Sequence, residues 1–161
     1  MLIRQAQVSD FPRILEINTT EEEKTSRIDL ARITQLDSWS DYHRVLAVED
    51  VIIGFLLVMS EASDYDGDNF RWFVERYSRF LYVDRIVIDR TFARRGAGSA
   101  LYADLIKFAA TQSWSTLCCE INVSPPNPVS HAFHAGFGFK EVGRSGTVGA
   151  SKVVSYQVAE I

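Results

Sequence analysis

Arg94-Arg95-Gly96-Ala97-Gly98-Ser99-Ala100-Leu101 is the stretch on which the fold turns. It lies between an apolar run from Phe80 to Ile88, patterned like a buried strand, and a helix-like run from Ala100 to Gln112. Strand, glycine turn and helix start together make an anion site. The first amides of a helix have no partner within it, and the helix dipole adds positive potential there. Gly96 and Gly98 lack a β-carbon, so a ligand can approach the backbone. Arg94 and Arg95 add charge suited to a phosphate.

Two common phosphate loops do not fit. A Walker-type loop needs Gly-Lys followed by Ser or Thr, whereas the chain has Gly98-Ser99-Ala100. A dinucleotide loop needs a third glycine where Leu101 stands. The segment instead resembles the coenzyme A-binding motif of the Gcn5-related N-acetyltransferases (GNAT family), Arg/Gln-x-x-Gly-x-Gly/Ala. Ala93 departs from that motif at its Arg/Gln position, and Arg94 and Arg95 are the charges at hand to replace it. A later stretch, Asn127-Pro-Val-Ser-His-Ala-Phe133-His134-Ala-Gly-Phe137-Gly138-Phe139, is similar to the family's second signature. His134 stands there at a position where many members carry tyrosine.

The resemblance implies an α/β fold in one domain over residues 1–161: a mixed, mostly antiparallel sheet with helices on both faces and a splayed central strand pair. It implies acetyl-CoA as cosubstrate. The pyrophosphate would lie on Arg94, Arg95, Gly96, Ala97, Gly98 and Ser99, and the acetyl end on the backbone of Ile86, Val87 and Ile88. Asn127 and His134 would add cofactor contacts. The implied reaction is transfer of an acyl group, most simply acetyl, to a primary amine of a small molecule, amino acid or peptide, by direct attack in a ternary complex. The alternative is a CoA-binding sensor or structural module without chemistry. A nucleotide-binding domain is a third reading of the loop.

Composition narrows the classes. With 161 residues, 47% apolar and 12% aromatic, the chain has the length of one domain and can bury a sizeable core. A net charge of −4 argues against a nucleic-acid partner and suits a cationic amine. The only cysteines, Cys118 and Cys119, are adjacent and on a strand would face opposite ways, so no disulfide framework is available and a reducing compartment is expected. No basic region followed by an apolar stretch opens the chain, and the longest apolar run, Val51 to Met59, is too short to span a bilayer. A cytoplasmic protein, off the membrane and monomeric or homodimeric, is expected.

Pattern and turn signals give the order of elements. Leu2 to Val8 alternates like a strand. Ser9 or Asp10 caps a helix that runs to Asn18. Glu21-Glu22-Glu23 is a solvated acidic break, and Ile28 to Leu36 has helical spacing. His43 to Val48 and Val51 to Met59 form a hairpin about Glu49-Asp50. Ser60 to Asn69 is a loop and Asn69 to Ser78 a helix. The main helix covers Gly96 to Gln112, followed by a strand from Leu117 to Val123 and a short helix from Val129 to Ala135. Lys140 to Arg144 and Lys152 to Ala159 are the last strands, about a Gly146 to Gly149 turn.

Amine acylation needs a base for the amine, stabilisation of the thioester oxygen and a proton for the leaving thiolate. Glu120 is the first candidate base, because ribosomal-protein-type N-terminal acetyltransferases place a glutamate at the matching strand position. Asp84, a charge within an apolar strand, is the second, unless it pairs with Arg85 or Arg79. His134 is the candidate acid, since an ordinary histidine titrates near neutrality. Residues 60–79 form an insert where family members vary and build acceptor walls. Phe70, Trp72 and Phe73 are its candidate substrate contacts, and Asp64, Asp66 and Asp68 would add negative charge for a cation.

No metal is expected. Asp64, Asp66, Asp68 and Glu75 mimic calcium-loop spacing, but Asn69 stands where the loop needs glycine. His131 and His134 have no second ligand pair at zinc spacing.

Overall fold

A computed structural model describes residues 1–21, 25–146 and 151–161. Glu22 and Glu23 of the acidic break, and residues 147–149 of the glycine turn, lie outside the described residues.

The strands are β1 (Leu2–Gln5), β2 (Tyr42–Val48), β3 (Val51–Ser60), β4 (Leu81–Ile88), β5 (Thr116–Ser124), β6 (Lys140–Ser145) and β7 (Val153–Glu160). The helices are α1 (Phe11–Thr19), α2 (Leu30–Trp39), α3 (Asp68–Val74), α4 (Ala97–Thr111) and α5 (Pro128–Ala135). The strands form one sheet in the order β1-β2-β3-β4-β5-β7-β6. Every neighbouring pair is antiparallel except β4 and β5. This is the mixed, mostly antiparallel sheet that the sequence implied.

Alternating side chains feed two cores. On one face Phe11, Ile14, Ile33, Leu36, Phe70 and Phe73 bring α1, α2 and α3 onto Phe55, Leu57 and Tyr82. On the other, Leu101, Tyr102 and Leu105 of α4 meet Leu56, Val58, Leu81 and Val83. Cys118 belongs to the first core and Cys119 to the second, both as free thiols. Burial raises both thiols well above their ordinary range.

Several boundaries shift for local reasons. β1 ends at Gln5, and Val8 enters a 3-10 turn instead. The Asp10 carboxylate takes the Gln7 amide at 2.8 Å and both Arg4 guanidinium nitrogens, at 2.7 and 3.0 Å. Asp10 therefore precedes α1 without capping it through its side chain. The second helix starts later than expected because Asp29 accepts the Arg32 amide at 2.7 Å. The β2–β3 turn holds Glu49 and Asp50 at φ 49° and 65°, the left-handed pair that a tight hairpin demands. The insert helix ends at Val74, short of Ser78.

The central strands part company. β4 pairs with β5 only at Leu81↔Leu117 and Tyr82↔Cys118. Beyond that point β4 stays bonded to β3 as far as Ile88↔Gly54, while β5 stays bonded to β7. A bulge marks the parting: Val83 pairs with Val58 and Arg85 with Leu57, so Asp84 is skipped. The extra residue bends β4 and increases its local twist.

Candidate active site

The gap between β4 and β5 opens into a cleft of about 820 Å³, within the usual range for a small-molecule site. Two walls come from the strands, Tyr82 to Ile88 and Cys119 to Asn122. One end reaches the β4–α4 loop at Arg94, Gly96, Ala97, Gly98 and Ser99, with Asn127, Phe133 and His134 of the α5 region beside it. The other end reaches Thr25, Ser26, Tyr65, Gly67, Asp68 and Asn69.

The loop end follows from its glycines. Gly96 caps α4 in the left-handed conformation, φ 81°, with no side-chain cap. The first amides of α4 are thus free of an internal competitor. Gly98 has a different reason. A β-carbon there would sit 3.1 Å from the Phe133 ring, so Gly98 lets α5 pack against α4. Gly98 also lines the cleft. Arg94, at φ 62°, lines the cleft, whereas Arg95 lies over the Phe92 ring, 5.5 Å from its centroid. Asn127 lines the cleft and caps α5, accepting the Ser130 amide at 3.3 Å.

Ile86, Val87 and Ile88 all line the cleft, and among the described residues β4 has no partner strand on that side. Glu120 faces the same gap from β5. Its Oε2 accepts the Tyr82 hydroxyl at 2.6 Å. Burial pushes its carboxyl up to about 8; the Tyr82 hydrogen bond opposes the shift and nearby Asp84 adds to it. A carboxyl tuned to that range is suited to taking a proton from an amine near neutral pH.

Asp84 is held from both sides. Arg85 Nε donates to its Oδ2 at 2.7 Å and the Tyr65 hydroxyl to its Oδ1 at 2.6 Å. Glu120 is partnered too, by the Tyr82 hydroxyl and the Asn69 side chain. Arg79 is elsewhere, against Glu61.

His134 is buried, with both ring nitrogens committed. Nδ1 meets the Ser130 carbonyl at 2.8 Å and Nε2 meets the Tyr102 hydroxyl at 2.7 Å. A carbonyl only accepts, so Nδ1 carries the proton and Nε2 accepts from Tyr102. Burial lowers its proton affinity further. The geometry makes His134 a tie between α5 and α4, with its ring nitrogens engaged by Ser130 and Tyr102.

The insert contributes different residues from those expected. Phe70 and Phe73 are buried in the core, and Trp72 stacks on Tyr156 at 4.1 Å; none of the three lines the cleft. The helical spacing that exposed one face of α3 to solvent turned its aromatics inward. Tyr65, Gly67, Asp68 and Asn69, just before them, reach the cleft. Asp66 pairs with Arg32 at 2.7 Å. Among the described residues, no group of three or more His, Cys, Asp or Glu could hold a metal, and no helix is long and apolar enough to cross a membrane.

Comparison with known proteins agrees with this geometry. A family model described as "Acetyltransferase (GNAT) family" matches residues 5–139. No curated protein sequence matches the chain. The fold is similar to that of a ribosomal-protein-alanine N-acetyltransferase from Brucella melitensis, at TM-score 0.73 and 21% identity over all of both chains. It is similar to Chaetomium thermophilum Naa20 in complex with a bisubstrate analogue, at TM-score 0.78 and 14% identity, covering 100% of this chain and 87% of that one. It is also similar to yncA of Salmonella typhimurium with acetyl-CoA, at TM-score 0.71 and 18% identity, covering 99% and 93%. The family match covers most of the length, and the chain belongs to the acetyltransferase (GNAT) family.

Proposed function

We propose that this family member transfers an acetyl group from acetyl-CoA to a primary amine, by direct attack, with Glu120 as the base. The observation that carries the reading is the placement of Glu120 in the gap between β4 and β5, with the Gly96 helix start at one end of the same cleft. The solved relatives named above include one holding acetyl-CoA and one named for acetylating a ribosomal-protein alanine.

In this reading the amides of Ala97, Gly98 and Ser99 and the Arg94 charge hold the pyrophosphate. The pantetheine arm runs along Ile86 to Ile88, whose unpaired edge offers backbone groups to the thioester end. Glu120 takes one proton from the substrate ammonium. The freed nitrogen lone pair attacks the thioester carbon, forming the C–N bond. The C–S bond then breaks, and a second nitrogen proton passes to the departing thiolate. No separate acid is required, which agrees with the committed nitrogens of His134. Thr25, Ser26, Tyr65, Asp68 and Asn69 form the acceptor end. The insert is thus a wall of the acceptor site through its loop and first helical turn.

Two steps test this. Thermal denaturation is compared with CoA, acetyl-CoA, ATP and NADH, then thiol release is followed with ethylamine, phenethylamine and an alanyl hexapeptide. A ligand at a hundred times its dissociation constant stabilises by about 2.7 kcal/mol, a shift of roughly 5 to 10 °C for a domain of this size. Shifts with CoA and acetyl-CoA alone, followed by amine-dependent thiol release, are expected. A larger shift with ATP or NADH would overturn the ligand. Binding without turnover would favour a CoA-binding module.

A further inference from the structure

Asp84 and Arg85 place a charged pair on the central strand, and the proposed chemistry uses neither. Their side chains are 3% and 5% exposed. Arg85 is bonded through all three nitrogens. Nε donates to Asp84 Oδ2 at 2.7 Å. Nη1 donates to Asn18 Oδ1 at 3.1 Å and to the Ser26 carbonyl at 2.9 Å. Nη2 donates to Ser26 Oγ at 2.9 Å. The remaining Asp84 oxygen, Oδ1, accepts the Tyr65 hydroxyl at 2.6 Å.

Ser26 and Tyr65 belong to separate segments, one between α1 and α2 and the other between β3 and α3. Both line the cleft, at the end away from the glycine loop. The pair therefore joins two walls that share no strand, and it does so at the bulge where β4 leaves β5. A guanidinium suits this task because its planar fork fixes several acceptors at once, which an ammonium does not.

We propose that the Asp84–Arg85 pair positions the acceptor: by tying Ser26 on one side and Tyr65 on the other to β4, it sets the spacing of the two acceptor walls. Asp84 and Arg85 are positioning residues, and selection among amines by size follows from the spacing they impose. This rests on the reading of that end of the cleft as the acceptor end.

Two variants of the full chain separate the links. Tyr65→Phe cuts one tie and leaves the ion pair intact, so folding is retained. Arg85→Lys keeps the charge and loses the fork. Hydrogen exchange is measured without ligand. Exchange in residues 61–67 should quicken in Tyr65→Phe, and in both 25–29 and 61–67 in Arg85→Lys, with β3 and β4 unchanged. With whichever of the three amines is turned over fastest, the amine KM should rise about tenfold in Arg85→Lys while the acetyl-CoA KM stays within about twofold. Unchanged exchange in both walls overturns the proposal, as does a rise of both KM values together. Failure of the functional reading looks different: the unmodified protein shows no shift with acetyl-CoA or turns over no amine, whatever the exchange pattern.

Discussion

The two ends of the cleft are built by opposite means. The glycine-loop end is made from one continuous segment and works mainly through backbone: a left-handed Gly96, the open start of α4 and a close α4–α5 seam at Gly98. The proposed acceptor end is made from four separate segments and is built of side chains, with Glu120, Tyr82, Asp84, Arg85, Ser26 and Tyr65 in hydrogen-bond contact in two groups. A backbone site is generic for a phosphate ligand. A side-chain site is specific to what it binds, and it changes with each residue. The largest effects on chemistry should therefore come from the acceptor end, and the largest effects on cofactor affinity from the loop.

Glu120→Gln should show the first most clearly. Loss of a general base lowers turnover by about 10² to 10⁴, whereas the acetyl-CoA thermal shift should persist. In the unmodified protein, kcat/KM should fall as pH drops below about 8, because the base must be deprotonated. Stability gives a second readout that needs no amine. The folded carboxyl holds its proton up to about 8, against 4.5 when exposed. Its contribution to stability is full below 4.5 and is lost as pH rises through that window, by at most about 1.4 kcal/mol per pH unit. Glu120→Gln should therefore gain on the unmodified protein between pH 5 and pH 8.5 in denaturation midpoints. Turnover that survives with an unchanged pH profile would remove Glu120 from the mechanism.

Gly98→Leu probes the loop end. The new side chain enters the seam with Phe133, where a β-carbon alone would already lie 3.1 Å from the ring. Overpacking of this kind costs about 1 to 3 kcal/mol, so acetyl-CoA affinity should fall by up to about a hundredfold as α5 and its Asn127 are displaced from the cleft. Gly98→Ala should do much less. Equal affinity in Gly98→Leu, measured by titration calorimetry, would separate the loop from the cofactor.

The same contrast explains what the sequence made legible. The loop end was readable because its determinants are contiguous: glycines, flanking charges and a strand-to-helix change fall within a few residues of one another. The order of elements along the chain and the opposite faces of Cys118 and Cys119 followed from alternation and turn signals. Glu120 stood out through family resemblance and as a charge in an apolar strand. The acceptor network did not, since nothing along the chain connects Arg85 to Ser26, 59 positions away. Asp84 stands out as a charge in an apolar strand, and pairing with Arg85 is one of its two readings; the Tyr65 contact, 19 positions away, is not visible along the chain. The engagement of His134 is hidden in the same way: Tyr102, which meets its Nε2, is 32 positions distant. The aromatic density of the insert drew attention to a segment that lines the cleft through Tyr65, Gly67, Asp68 and Asn69, while the helical phase of α3 keeps Phe70, Trp72 and Phe73 out of it.

Arg94→Ala should give the smallest effect, and it tests the contrast most finely. Arg94 is exposed and lines the cleft, while neighbouring Arg95 rests on Phe92. Both alanine replacements keep a β-carbon, so the left-handed backbone at position 94 is strained no more than before. At Arg94 what changes is mainly charge, whereas Arg95→Ala also removes the contact with Phe92. Exposed ion pairs contribute about 0.2 to 1 kcal/mol, so Arg94→Ala should weaken acetyl-CoA binding by about two- to fivefold, less at high salt. Arg95→Ala should leave it unchanged. A loss in Arg94→Ala as large as that in Gly98→Leu would mean that this end, too, binds through side chains, and the division between the two halves of the cleft would fail.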